Sequence, residues 1–166
     1  WKGVIRIGPQ RVPVRLYTAV QDQRVHFRML HRKDHQPVRQ RMVHPETGRE
    51  VGKDDQRRGA EVERGVYVML EPQELEDLAP PSSRDIEVMR FVPREALDLT
   101  WYDRPYYLGP DGDAPAYWAL ERALENSGRE GIARWTMRRK EYLGSLFTHR
   151  GYLTLMTLRF SDEVVQ

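Results

Sequence analysis

The sequence contains no cysteine, which excludes disulfide bridges, thiol catalysis and a cysteine-ligated zinc site, and which fits a reducing, cytoplasmic setting. It has no apolar run of about 20 residues and nothing resembling a signal peptide, so a membrane-spanning helix is excluded. Glycine-rich phosphate loops, a Gly-x-Ser-x-Gly elbow and a Lys-Ser/Thr pair after glycines are also missing, which leaves nucleotide hydrolysis without support. There is no internal repeat and no low-complexity tract. Methionine is absent from position 1, where Trp1 stands, so a few native residues are expected in front of it.

What is present is a chain of 166 residues, 39% of them hydrophobic. That length predicts a single domain able to bury a working core. The net charge of +2 conceals an asymmetry. Residues 1–60 carry 14 Lys/Arg against 6 Asp/Glu, residues 61–128 carry 6 against 15, and residues 129–166 carry 7 against 4. Of the 27 cations 23 are arginine, whose planar fork of donors suits phosphate. A basic half beside an acidic half describes a polarised surface with an anionic partner. Arginine codons favoured by a high-GC genome give the same composition, so the balance alone does not decide.

The apolar pattern predicts mainly strand. Val12, Val14 and Leu16 alternate with Arg11, Pro13 and Arg15, and Val25, Phe27 and Met29 alternate with His26 and Arg28, the period of a strand with one buried face. Pro13 places the first of these at an edge or a bulge. Further strands are expected over 65–70, 85–92, 132–139, 141–148 and 152–160. The last three are joined by Arg139-Lys140-Glu141 and His149-Arg150-Gly151, which predicts an antiparallel meander. Two helices interrupt the strands. Pro72 opens a short one carrying Leu75 and Leu78, stopped by Pro80-Pro81; the other starts after Asp111-Gly112-Asp113, places Tyr117, Leu120 and Leu124 on one face and ends at Gly128. Asp111 and Asp113 are expected to favour its N-terminal dipole.

From His31 to Glu63 the apolar pattern nearly vanishes, while Arg32, Lys33, Arg39, Arg41, Arg49, Lys53, Arg57 and Arg58 accumulate. Such a segment cannot bury itself, so an extended basic arm over 31–63 is expected. Cations two apart on extended chain, as Arg39 and Arg41 are, lie about 6–7 Å apart on one side and can follow successive phosphates. Arg138-Arg139-Lys140 adds a basic hairpin tip. No base-reading helix is present, so binding to backbone and shape is expected, with steep salt dependence.

Other chemistry is less well supplied. His26, His31, His35 and His44 lack the helical spacing that would bring them to one metal, and scattered surface histidines account for them. Asp85 and Glu87 share one side of a strand, which a metal-dependent nucleic-acid-processing enzyme would need, as would any solvated strand face. Asp54-Asp55 offers no further ligand, and no Glu completes a calcium loop from Asp111. Trp101-Tyr102-Asp103-Arg104-Pro105-Tyr106-Tyr107 could stack on single-stranded bases or form a hydrophobic corner that a protein-binding adaptor or a dimer uses.

Several segments, in order along almost the whole chain, carry a family resemblance. They are Trp1-Lys2-Gly3, Gly8, 12–19, Leu30-His31-Arg32-Lys33, Ile86-Glu87-Val88 with Phe91-Val92-Pro93, Asp103 through Pro110, the helix with Tyr117, Leu120 and Ala123-Leu124, Glu141-Tyr142-Leu143, and Leu158-Arg159 with Asp162-Glu163-Val164. Together they resemble the prokaryotic Ku core. The resemblance implies a mixed β-barrel of about seven strands with peripheral helices. It implies a homodimeric ring whose arms close around double-stranded DNA ends in non-homologous end joining, with an ATP-dependent DNA ligase recruited and no enzymatic activity. It implies a nucleoid-associated cytoplasmic location, no cofactor, and phosphate contacts at Arg32, Lys33, Arg39 and Arg41. Where many relatives have Cys-x-x-Cys, this chain reads Val43-His44-Pro45-Glu46-Thr47-Gly48, so no metal is expected there. The sequence stops at Gln166, just past the core and short of the extended basic tail found on many bacterial members. A compact chain of this length has a radius of gyration of about 15 Å, so encircling a duplex requires a long arm or a second copy.

Overall fold

The computed structural model describes residues 1–164; the expectation concerning Gln166 lies outside the described residues. They form two compact units, Trp1–Gln21 with Ala79 onward, and Asp22–Leu78.

The first unit is a closed barrel of seven strands: β1 (Lys2–Ile7), β2 (Gln10–Thr18), β5 (Asp85–Pro93), β6 (Tyr102–Pro110), β7 (Arg129–Met137), β8 (Lys140–His149) and β9 (Tyr152–Leu158). Around the barrel the order is β1-β2-β6-β9-β8-β7-β5. Every pairing is antiparallel except the closing seam, where Val4, Ile5 and Arg6 run parallel to Asp85, Ile86 and Glu87. This is the mixed barrel expected. The interior is filled by the inward residues of each strand, among them Ile5, Val14, Ile86, Leu108, Trp135, Leu146, Leu153 and Leu155. Burying each such side chain stabilises by roughly 1.5–3 kcal/mol. Trp135 is the largest and stacks on Tyr142 with centroids 5.5 Å apart. It fits because Gly144 leaves room: a Cβ there would lie 2.5 Å from Trp135 Cζ3 and 2.6 Å from the Met156 carbonyl oxygen.

Helix α2 (Ala114–Ser127) packs on this barrel. Asp113 caps it by accepting from the Ala116 amide at 3.0 Å, and Gly128 ends it at φ 62°. Tyr117 and Leu124 are buried, as the spacing predicts. Asp111 departs from expectation. It leaves the helix dipole to Asp113 and instead holds Lys2 Nζ at 3.0 Å and Arg15 Nη2 at 2.9 Å.

Pro13 also corrects the sequence reading, since β2 is an interior strand of a closed barrel. Proline is tolerated because its carbonyl faces the β6 side, accepting from the Asp111 amide, and β2–β6 pairing starts only at Val14. No ladder bond is lost to the missing N–H. The meander β7-β8-β9 is as read, but its first turn is Arg138-Arg139, with Met137 opposite Lys140. Residues 101–107 are not a corner: short helical turns precede β6, and Tyr102 starts it.

The second unit contains β3 (Arg58–Glu63), β4 (Val66–Leu70) and α1 (Pro72–Asp77). β3 falls inside the stretch read as irregular and pairs antiparallel with β4. The strand expected over 25–29 does not form. Alternation supplies a face but no partner, and Phe27 is 92% exposed. Two short hairpin loops follow, closed by the bridges Leu30–Pro37 and Val43–Glu50. They share one hydrogen-bond pattern: the His31 and His44 amides donate to the Gln36 and Arg49 carbonyls, and the His35 and Gly48 amides donate back to His31 and His44. No residue of 22–78 is buried, the outcome its composition dictates.

Candidate nucleic-acid interface

The cations of the second unit lie on loops and strand ends. Arg32 and Lys33 occupy the first hairpin loop, whose turn is fixed by Asp34. The Asp34 carboxylate accepts from the Gln36 amide and pairs with His31 at 2.8 Å, and these contacts, the backbone one first, hold it below the usual carboxylate range. Arg39 and Arg41 lie on the link between the two hairpin loops. Arg41 is paired with Glu50 at 2.7 Å, whereas Arg39 has no ion pair among the described residues. Arg57 turns back onto the Asp54 and Gln56 carbonyls at 2.6 and 3.1 Å. Arg58 opens β3, exposed and unpaired among the described residues.

Arg138, Arg139 and Lys140 belong to the barrel. Arg138 and Arg139 adopt φ 52° and φ 64°, left-handed backbone that costs a non-glycine residue roughly 1 kcal/mol. A two-residue hairpin turn demands this conformation and ordinarily takes Asn-Gly. The tip thus holds two arginines where turn chemistry favours neither.

Four further outward arginines of the barrel are held by carboxylates. Arg6 and Arg11 face each other across β1–β2, and both reach Asp85, at 2.9 and 3.4 Å. Arg15 is held by Asp111. Arg134 pairs with Glu87 at 3.1 Å and with Glu141 at 3.8 Å. Alternation along 11–16 already marks Arg11 and Arg15 as outward, but their acids, Asp85 at the start of β5 and Asp111 in the turn after β6, are distant in sequence and carry no local signal.

The same pairs bear on metal chemistry. Asp85 and Glu87, the carboxylates a metal-dependent enzyme would use, are each neutralised by arginine. No group of three or more His, Asp or Glu among the described residues could hold a metal ion. Glu130 is a buried carboxylate, but its oxygen accepts from Tyr102 at 2.9 Å and from Ser145. Burial first, and then the bond to Glu130, push the Tyr102 phenol above its ordinary range. This arrangement closes on itself and ties β6, β7 and β8 together.

Comparison with known proteins is consistent along the chain. The family described as the Ku70/Ku80 beta-barrel domain matches residues 7–165. Non-homologous end joining protein Ku 2 of Geotalea uraniireducens (strain Rf4) is 43% identical over 165 residues, 99% of this chain and 64% of that protein. The Ku 1 protein of the same organism is 38% identical over 166 residues, 99% of this chain and 64% of that protein. Non-homologous end joining protein Ku of Archaeoglobus fulgidus is 34% identical over 165 residues, 99% of this chain and 65% of its own length. The chain thus spans just under two thirds of these relatives.

Proposed function

Because the chain belongs to the Ku β-barrel family, we propose that it binds the ends of double-stranded DNA, without reading sequence, as a homodimer in non-homologous end joining. The observation that carries this reading is the division among its cations. Arg6, Arg11, Arg15 and Arg134 on the barrel are matched by carboxylates, whereas Arg32, Lys33, Arg39 and Arg58 on the arm are exposed without an ion pair among the described residues. Guanidinium groups left unneutralised by the protein are available to phosphates, and each contact releases counterions and steepens the salt dependence. The arm over 31–63 and the tip at Arg138, Arg139 and Lys140 are the proposed contact residues, with Arg41 and Arg57 weaker because protein groups already engage them.

A second copy accounts for the apolar surface of the 22–78 unit. Phe27 is 92% exposed, Met29 75% and Met69 69%, and a lone two-stranded sheet is marginal in water. Burial against an identical chain covers these residues, and a two-fold pair of arms closes a ring. A closed ring is entered only from a DNA end, so it selects ends by topology. The protein is proposed to act without catalysis, to recruit an ATP-dependent DNA ligase, and to act at the nucleoid. No helix among the described residues is long and apolar enough to cross a membrane.

The test compares a linear duplex with a covalently closed circle of the same sequence. Preference for the linear form is expected; equal affinity, or dependence on sequence, overturns the reading. Arg39→Glu should weaken every linear duplex and flatten the salt slope more than Arg41→Glu does. The same loss from both would show that the Glu50 pair is irrelevant to binding.

A further inference from the structure

Tyr17, Tyr107 and Tyr152 lie on β2, β6 and β9, three adjacent strands of the barrel. Tyr17 is directly opposite Tyr107. Tyr107 is opposite Thr154, and Tyr152, two residues away along β9, shares its face of the sheet. These rings are not core: Tyr17 and Tyr152 are each 52% exposed. With Leu108, Gly109 and Arg150 they line an open cavity of about 390 Å³ whose walls carry one cation and no carboxylate. Gly109 forms its floor, since a Cβ there would lie 3.3 Å from Tyr17 Cε2.

Two observations separate this surface from an ordinary solvated face. Neither Tyr17 nor Tyr107 has an aromatic partner among the described residues, so their rings are not used up on one another; only Tyr152 has a neighbour, Trp118, at 6.1 Å. Arg150 has φ 52° in the two-residue turn between His149 and Tyr152, a conformation that disfavours any residue with a side chain. It has no ion pair among the described residues. A strained, unpaired cation beside a row of aromatic faces matches a nucleotide, which brings a π-face and a phosphate together.

We propose that the face carrying Tyr17, Tyr107 and Tyr152 stacks the unpaired bases of a single-stranded DNA extension, with Arg150 on its phosphates. This rests on the DNA-end reading above and extends it from blunt duplex to ends with overhangs. Every base has a π-face, so the platform is indifferent to sequence.

The experiment measures affinity of the full chain for three labelled probes: a blunt duplex, the same duplex with an oligothymidylate extension, and oligothymidylate alone. The extension should improve binding about tenfold, the scale of one or two stacked bases. Tyr17→Ala with Tyr107→Ala should abolish that gain and leave the blunt duplex within about twofold, whereas Tyr17→Phe with Tyr107→Phe, which keeps the rings, should preserve it. Arg150→Asn, which suits the left-handed turn, should flatten the salt slope for the extension alone. Melting curves identify any variant that fails to fold, in which case the phenylalanine and asparagine variants decide. No gain from the extension, an equal loss of blunt binding, or a DNA-free change in oligomeric size in the alanine variant overturns the proposal; the last would make the face a protein contact. Blunt duplex left unbound by the unaltered chain overturns the end-binding reading instead, and oligothymidylate binding under those conditions still supports the platform.

Discussion

The Tyr117 hydroxyl donates to the Leu108 carbonyl oxygen at 2.6 Å and accepts from the Leu153 amide at 3.0 Å. Regular β6–β9 pairing ends one step earlier, at Tyr107 and Thr154. A side chain of α2 therefore replaces the next rung of the ladder, and the helix is pinned to the seam it covers. Tyr117→Phe would strand a buried amide and a buried carbonyl. A loss of about 2 kcal/mol in urea unfolding is expected, with blunt-duplex binding unchanged once the protein is folded.

Gly144→Ala should be among the most damaging small substitutions. The added methyl meets both the Trp135 ring and the Met156 carbonyl, and only the ring can move. A destabilisation of about 1–3 kcal/mol is expected. Trp135→Leu should recover part of it in a double-mutant cycle, because the backbone clash remains. Additive effects in chemical denaturation would contradict this contact.

At the β7–β8 tip, stability and binding are expected to move in opposite directions. Replacing Arg138-Arg139 with Asn-Gly relieves two left-handed arginines and should stabilise the fold by about 1–2 kcal/mol. The same change removes two cations and should weaken duplex binding and reduce the salt slope. Thermal melting and a salt titration on one preparation test both halves.

Asp111 should make the barrel sensitive to acid. The Lys2 ammonium bonded to it, and then the Arg15 guanidinium, hold its carboxyl below the usual carboxylate range. A group depressed on folding contributes stability that is fully present above its unfolded value, near 3.8, and lost as pH falls through the folded one. Asp111→Asn should therefore lower stability at neutral pH and flatten its decline below pH 4. An unchanged acid limb in the variant would show that other carboxylates govern it.

The strands that were legible in the sequence are those with an unbroken apolar alternation and tight turns, which is why β7, β8 and β9 could be read together. β6 was hidden because its inward residues, Tyr106 and Leu108, are flanked by Pro105 and Gly109, residues that ordinarily mark turns. Residues 25–29 failed in the opposite sense, since period two reports alternating side chains and says nothing of a partner strand. The cations were visible one by one, but their pairing was not. Asp85 is 79 positions from Arg6, and only barrel closure brings them together. Tyr107 stands beside other aromatics in sequence, but Tyr17 and Tyr152, with which it lines one cavity, lie on other strands.

The parallel seam between β1 and β5 has a consequence for folding and for tolerance of change. It joins residues about 80 positions apart, and the entire 22–78 unit is inserted between them. The seam should form late, after the local β7-β8-β9 meander, because non-local pairing bears the loop-closure entropy. That entropy grows only with the logarithm of loop length. From the end of β2 to the start of β5 the path crosses two strand spacings and about five residues of rise, roughly 20 Å, which a linker of about eight residues can span. The barrel should therefore close around almost any insertion, leaving the length of the arm to be set by what it grips.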